Sequence, residues 1–312
     1  MLACALGVSS KGLIHLGKIN PSLRLLKLSD ATCRLIDSNV HHKAAVLKRK
    51  AARKTSKSRP PADMLGHTLV FDGKGPAAVP CVLTGNTYGM HCAESTTHFA
   101  MRTSTKVHTS VLWQAFIGKC VRFLRALGFQ VFYLKFDRAG EFSSEEFLQN
   151  LETKLDVTGK VGPAKWHETV GSVEVLNDII DRIAEQLLYS AGLGPSFYQL
   201  ACNFAVILLN LRACPNSPEI SRYEAVTGQT WPFDDRPIHP FGCQVLVLRD
   251  KPDRGPIGGP RGRTYDGIFL GYTTDYTAVI VRKSNSQWMY PPNCVALNAQ
   301  QMACSALPPA AA

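Results

Sequence analysis

The chain has 312 residues, is 45% hydrophobic and carries a formal charge of +11. Such a length and apolar content support one large domain or two ordinary ones with a sizeable core, and exclude a disordered polyelectrolyte or a small disulfide-stapled scaffold. The positive charge favours polyanionic partners, but residues 43–59, KAAVLKRKAARKTSKSR, hold eight Lys and Arg and no acid, and taking them away leaves only +3.

Residues 1–61 read as a weakly ordered segment that ends in this basic linker, followed by the helix-breaking SRPPAD. Within the linker, Lys48, Arg49, Lys50, Arg53, Lys54, Lys57 and Arg59 are candidate nucleic-acid contacts or a nuclear-localisation signal. A solvated linker is the equal alternative, and the absence of aromatics from 43–59 gives no base-stacking platform. The ten cysteines are widely and irregularly spaced with no Cys-x-x-Cys pair. This argues against a zinc ribbon and for reduced, buried thiols in a soluble protein of the nucleus or cytoplasm. The opening MLACALGVSS lacks the basic start of a signal peptide. No stretch approaches the roughly 18 apolar residues of a spanning helix, so no membrane partner is expected.

The predicted elements begin with HTLVF, a strand ending at Asp72. PCVLTG and TYGMHCAES read as two strands about a Gly-Asn turn, and THFAMRTST as another. Over 106–127 the period changes: Val107, Val111, Phe116, Cys120, Leu124 and Leu127 recur at helical spacing, with Gly128 as the stop. FQVFYLKF is the next strand, ending on Asp137. The capping-box spacing from Ser143 to Glu146 opens a short helix over 144–155. A further helix, 173–191, has the stripe Leu176, Ile179, Ile180, Ile183 and Leu187, and the next, buried nearly all round, begins at Pro195. From about 235 short strands return, and the tail 299–312 reads as disordered. The fold class is therefore α/β over 62–214, with interleaved strands and helices, followed by a linker and small all-β module over 215–298.

Three acids fall at informative places. Asp72 and Asp137 each close a strand, and Glu174 lies near the start of a helix, away from Leu176 and Ile180. Acids at strand ends are commonly turn residues, and a helical Glu is commonly solvated. The sharper reading is a clamp for two divalent ions about 3.5–4 Å apart, the arrangement that phosphoryl transfer on nucleic acid uses. Oxygen ligands of this kind suit Mg²⁺ or Mn²⁺.

From Asp72 to about Lys283 the chain resembles the integrase region of copia-type LTR retrotransposon polyproteins. HTLVFDGKGP resembles the family's first catalytic strand, with Gly-Pro soon after the Asp. LKFDRAGEF resembles the second, usually Asp-Asn-Gly-Gly-Glu-Phe, and VGSVEV the third, usually Asn-Gly-x-x-Glu-Arg. Between Asp137 and Glu174 lie 36 residues, close to the family's Asp-Asp-35-Glu spacing. SPEISRYEAVTGQTWPFDDRPIHPFGCQVLVL and YDGIFLGYTTDYTAVIV resemble the segment that follows the family's catalytic core. The resemblance implies an RNase H-like core, then an SH3-like β module. It implies Mg²⁺- or Mn²⁺-dependent 3′-end processing and strand transfer of DNA by a homo-multimer. Asp72, Asp137 and Glu174 would be the metal ligands; water, then a DNA 3′-hydroxyl, would be the nucleophile. The lack of a following reverse-transcriptase segment suggests a piece of a polyprotein.

The departures from the family pattern are specific. Arg138-Ala139 replaces Asn-Gly, Val170 replaces the Asn, and Val175 replaces the Arg after the glutamate. Asp178 stands where a second basic residue is common, so Glu174, Asp178, Asp181 and Glu185 form one acidic stripe, which reads as a solvated helix face. In the segment IHLGKINPSLRLL, Lys18 stands in place of the family's zinc-ligating histidine, and only Cys33 aligns among the expected ligands, so no structural zinc is expected. Three readings stay open: an integrase enzyme, a decayed or co-opted nucleic-acid-binding fragment without catalysis, and a different RNase H-like nuclease.

Overall fold

The computed structural model describes residues 64–136, 144–161, 167–233, 236, 238–248, 264–272, 278–284, 287–289 and 302–304. The candidate zinc segment, the basic run from Lys48 to Arg59, and Asp137 lie outside the described residues.

The core is built on β1 (Thr68–Lys74), whose first four residues are buried. Consecutive burial of this kind, here Thr68 and the apolar Leu69, Val70 and Phe71, belongs to a strand covered on both faces, and β1 is indeed central. It pairs antiparallel with β2 (Tyr88–Glu94) and parallel with β4 (Tyr133–Phe136). β2 pairs antiparallel with β3 (Ala100–Thr105), and β4 pairs parallel with β5 (Thr158–Val161). The order is β3-β2-β1-β4-β5. Each parallel step needs a crossover. α1 (Ser110–Ala126) follows β3 on the way to β4, and α2 (Glu145–Leu155) joins β4 to β5. α3 (His167–Ala191) and, after one 3₁₀ turn at Pro195–Phe197, α4 (Tyr198–Asn210) complete the core. Phe71 meets Phe116 of α1 with ring centroids 6.1 Å apart, whereas the next residue, Asp72, meets Asn177 of α3. Successive strand side chains point to opposite faces, so α1 and α3 cover opposite sides of the sheet. This mixed sheet with flanking helices is the α/β unit read from the sequence, and it matches the RNase H-like core that the family resemblance implies.

Capping follows local chemistry. The Thr109 side chain accepts from the Leu112 amide, and the Ser144 side chain from the Phe147 amide, each satisfying an otherwise orphaned helical donor. The stripe on α3 is buried as expected at Leu176, Ile180, Ile183 and Leu187, with Ile179 partly covered.

Several sequence expectations are corrected. β1 does not end at Asp72 but runs two residues further, because β2 continues to pair with it as far as Lys74. PCVLTG is a turn and not a strand: the Gly85 amide returns to the Cys81 carbonyl at 2.8 Å, closing the chain on itself. Val107 and Val111 are exposed: Val107 precedes α1, whose cap is Thr109, and Val111 lies in its first turn, outside the buried set that runs from Trp113 to Leu124. α3 begins at His167, six residues early, so Glu174 lies in its third turn and not near its start. The strand β5 and the helix α5 (Arg222–Thr227) carry too few residues to show a period and escaped the sequence reading.

The C-terminal strands form a second sheet, ordered β10-β6-β7-β8-β9. They are β6 (Gln244–Leu248), β7 (Thr264–Tyr272), β8 (Ala278–Ser284), β9 (Gln287–Met289) and β10 (Met302–Cys304). β10 falls in the tail expected to be disordered; its residues pair antiparallel with β6. β7 lies against α4, where Phe269 meets Phe204 edge-on at 5.6 Å. Gly271, at φ +100°, permits this approach: a Cβ there would come within 2.7 Å of the Phe204 ring.

Candidate functional site

Of the three proposed ligands, Asp72 lies in the described part of the sheet, in β1. Its backbone lies opposite His91 of β2, and its carboxylate accepts a hydrogen bond from the Asn177 side-chain amide. Asn177 is buried, and its other amide atom, Oδ1, has no partner among the described residues. The helix thus sets the Asn177 amide against the strand carboxylate through its nitrogen, with the amide oxygen left as unused acceptor capacity.

Parallel pairing of β1 with β4 sets Phe71 beside Phe136, their rings stacked at 5.4 Å. These are the residues immediately before Asp72 and Asp137. Glu174 lies one turn before Asn177 on α3, and residues so spaced share a helix face; its side chain is exposed. Among the described residues, no three His, Cys, Asp or Glu side chains gather as a metal cluster.

The acidic stripe is not simply solvated. Glu174, Asp178 and Glu185 are exposed, but Asp181 is only partly so. Asp181 accepts from the Tyr198 hydroxyl at 2.6 Å and forms an ion pair with Lys74. Lys74 is two residues beyond Asp72, on the same sheet face. The pair therefore links the end of the central strand to α3, and α4 closes it through Tyr198.

A polar row crosses the sheet from Asp72. His91 lies opposite Asp72 on β2, and Arg102 opposite His91 on β3. Both are buried, at 1% and 5% exposure. Arg102 Nε donates to His91 Nε2 at 3.3 Å, and the guanidinium also donates to the Gln199 backbone and side-chain oxygens and to Asn203 Oδ1. Gly89 makes room for them, since a Cβ there would sit 2.7 Å from His91 Nε2 and 2.8 Å from Arg102 Nη2. Burial draws Arg102 below the ordinary guanidinium range. Burial first, then Arg102, Lys74 and His108, holds the His91 imidazole well below its ordinary pKa.

The sign of the pH dependence follows. His91 takes up a proton more readily unfolded than folded, so stability is full above the unfolded value of about 6.5 and is lost as pH falls below it. The expected loss approaches ~1.4 kcal/mol per pH unit for this one group. Urea unfolding at stepped pH values below neutrality checks it: His91→Gln should flatten the acid-side slope, and an unchanged slope would remove His91 as its source.

The sequence reading missed Asn177, Lys74, Tyr198, His91 and Arg102. Asn177 had a usable signal, being three residues after Glu174 on a predicted helix. The others depend on strand register and on docking of α4, which no local pattern carries.

No family model matches the chain, and no curated protein matches it. Solved structures of similar architecture include the catalytic core domain of BIV integrase, with a TM-score of 0.38 and 16% identity, covering 52% of this chain and 95% of that one. They also include the simian T-cell lymphotropic virus intasome solved in complex with the PP2A regulatory subunit B56 gamma, with a TM-score of 0.44 and 14% identity, covering 92% and 95%.

Proposed function

We propose that this chain is a copia-type integrase, acting on DNA ends by 3′-processing and strand transfer. The observation that carries the reading is the junction of β1, β4 and α3. Phe71 and Phe136 are paired, the sequence places an acid directly after each, and α3 docks on the first of these acids through Asn177. Asp72, Asp137 and Glu174 are the proposed ligands of Mg²⁺ or Mn²⁺, and their all-oxygen chemistry fits these ions. The unpartnered Asn177 Oδ1 beside Asp72 supports a further oxygen donor at the same place. Bound there, a pair of such ions supplies charge stabilisation to the attacking and leaving oxygens of a phosphodiester. The chain's own part is orientation: Asn177 fixes the Asp72 carboxylate, and Lys74 and Asp181 fix the strand end against α3. DNA is the proposed partner, with the linker cations Lys48 to Arg59 as backbone contacts, the C-terminal strands as an SH3-like module, and a homo-multimer as the working form.

A second reading is favoured by one specific observation. Lys74 is engaged by Asp181, and the neighbouring surface of α3 carries Glu174, Asp178 and Glu185. Carboxylates on a DNA-facing helix oppose phosphates and remove cationic contacts, each of which adds to affinity in a salt-dependent way. On this reading the chain keeps the fold as a nucleic-acid-binding or interaction fragment and has lost catalysis. Strand transfer of a short DNA duplex, with and without Mn²⁺, decides between the two: metal-dependent joined product supports the enzyme, and its absence supports the fragment.

Asn177 offers a finer test. Asn177→Leu removes the hydrogen bond but keeps bulk, and is expected to lower Mn²⁺-dependent transfer by about 10–100-fold, as loss of a ligand's supporting hydrogen bond does. An apparent Mn²⁺ affinity that weakens with the rate identifies a positioning role. An unchanged metal dependence with lowered thermal stability would reduce Asn177 to a packing residue.

A further inference from the structure

Beside the Asp72 row, β1, β2, β3 and the start of α4 enclose a cleft of about 490 Å³. Its wall includes Lys74, His91, Arg102, Glu185, Tyr198 and Ala78. Two features of this wall are incomplete within the chain. Arg102 is a buried cation whose hydrogen-bond partners are all neutral: an imidazole, a backbone carbonyl and two side-chain amides. Among the described residues no carboxylate forms an ion pair with it. Burying a charge without a counter-ion is unfavourable, and its four bonds occupy four of the five guanidinium N–H groups.

His91 is the second. Its Nε2 accepts from Arg102, so in the neutral ring the proton lies on Nδ1. That Nδ1 is buried and has no partner among the described residues. The row therefore presents an uncompensated cation together with an unanswered N–H donor, and both call for an acceptor that bears negative charge. The carboxylates lining the same cleft do not supply it: Asp181 is engaged by Lys74 and Tyr198, and Glu185 is exposed at the rim. Lys74 and Asp181 cancel as a pair, which leaves Arg102 to set the character of the cleft floor.

We propose that this cleft is an anion-binding site that takes one phosphate group, with Arg102 as its counter-ion. The group can be a free phosphate or a phosphodiester of bound nucleic acid, since the chemistry of recognition is the same. Charge-assisted bonds from a guanidinium are about twice as strong as neutral ones, so phosphate is favoured over a neutral ligand of similar size. The site rests on Arg102 and His91 and not on strand transfer, so a chain without transfer activity still passes or fails this test on its own terms.

The test is calorimetric titration of the full chain with sodium phosphate, against sodium chloride at matched ionic strength. Saturable phosphate binding is expected, weakened at least about tenfold in Arg102→Met through loss of the charge-assisted bonds. Ala78→Trp, at an exposed position of the cleft wall, is expected to block entry without touching the Arg102 bonds, and it decides the matter should Arg102→Met fail to fold. Phosphate that binds no better than chloride, or that binds Ala78→Trp as it binds the parent chain, overturns the proposal. With binding established, competition assigns the source. A short DNA duplex displaced by phosphate more than by chloride identifies a backbone phosphodiester, and a duplex left in place identifies a free anion.

Discussion

Asp72→Asn is expected to reduce Mn²⁺-dependent strand transfer by about 10³-fold or more while leaving the folded chain intact. The substitution keeps the shape of the side chain and removes its charge. A metal ion at a phosphoryl-transfer site contributes several kcal/mol of transition-state stabilisation, and each 1.36 kcal/mol is worth about tenfold in rate. The fold should tolerate the change, because Asp72 is only partly buried and its bond from Asn177 has an acceptor oxygen to use in either residue. Measured transfer in the parent chain and in Asp72→Asn, with thermal unfolding of both, separates the outcomes. Parent activity that survives the substitution removes Asp72 from the chemistry. Activity absent from both supports the non-catalytic fragment. Asp137→Asn is expected to behave as Asp72→Asn does, since both are proposed for the same ions.

The largest expected effect on stability lies at Glu94. This carboxylate is fully buried and accepts four hydrogen bonds: from the amides of Gly66, Thr96 and Thr97 and from the Thr97 hydroxyl, at 3.0, 3.1, 2.7 and 2.7 Å. It ties the approach to β1 to the turn between β2 and β3. Glu94→Ala leaves buried donors unanswered at about 1–3 kcal/mol each and opens a void that adds to the loss. A total near 4 kcal/mol is expected, against the ~5–15 kcal/mol that holds a typical domain together. Glu94→Gln keeps one acceptor oxygen but turns an amide NH₂ toward donors, and should cost about half as much. Urea unfolding monitored by far-UV circular dichroism measures both. A loss under ~1 kcal/mol for Glu94→Ala would mean that water or a shifted turn satisfies these donors.

The free cysteines that the structure describes, Cys81, Cys92, Cys120, Cys202, Cys214 and Cys243, are all buried, in keeping with the irregular spacing of cysteine along the chain. No described helix is long and apolar enough to cross a membrane. Much of the architecture was legible for the same kind of reason, because helix and strand signals are short-range. Leu176, Ile180, Ile183 and Leu187 recur at the period of a helix, and that helix buries them. The apolar run Leu69–Phe71 lies in what becomes the central strand. Where the reading failed, the signal was too short or was overridden. β5 has four residues and β10 three, fewer than a period needs. PCVLTG has strand-like residues, but Gly85 folds the chain back before a partner can pair with it.

For the candidate site the division is sharper. Residue type and spacing singled out Asp72, Asp137 and Glu174, because acids after apolar strands and on helices leave a mark in one dimension. The acidic stripe on α3 was equally visible, but its meaning was not: Asp181 is an ion-pair partner because Lys74 and Tyr198 reach it from β1 and α4. Asn177 was within reach of the sequence as the third residue after Glu174, yet nothing local aims it at Asp72.

The sequence by itself determined most of the longer strands and helices, among them the apolar core of β1 and the buried stripe of α3, since hydrophobic periodicity and capping act over a few residues. Only the tertiary structure decided which side chains meet. The row from Asp72 through His91 to Arg102 exists because antiparallel pairing sets these positions opposite one another. Arg102 is a buried cation because α4 lies over it with Gln199 and Asn203. Those contacts join residues about a hundred positions apart, and strand register and helix docking, which fix them, depend on packing of the whole core.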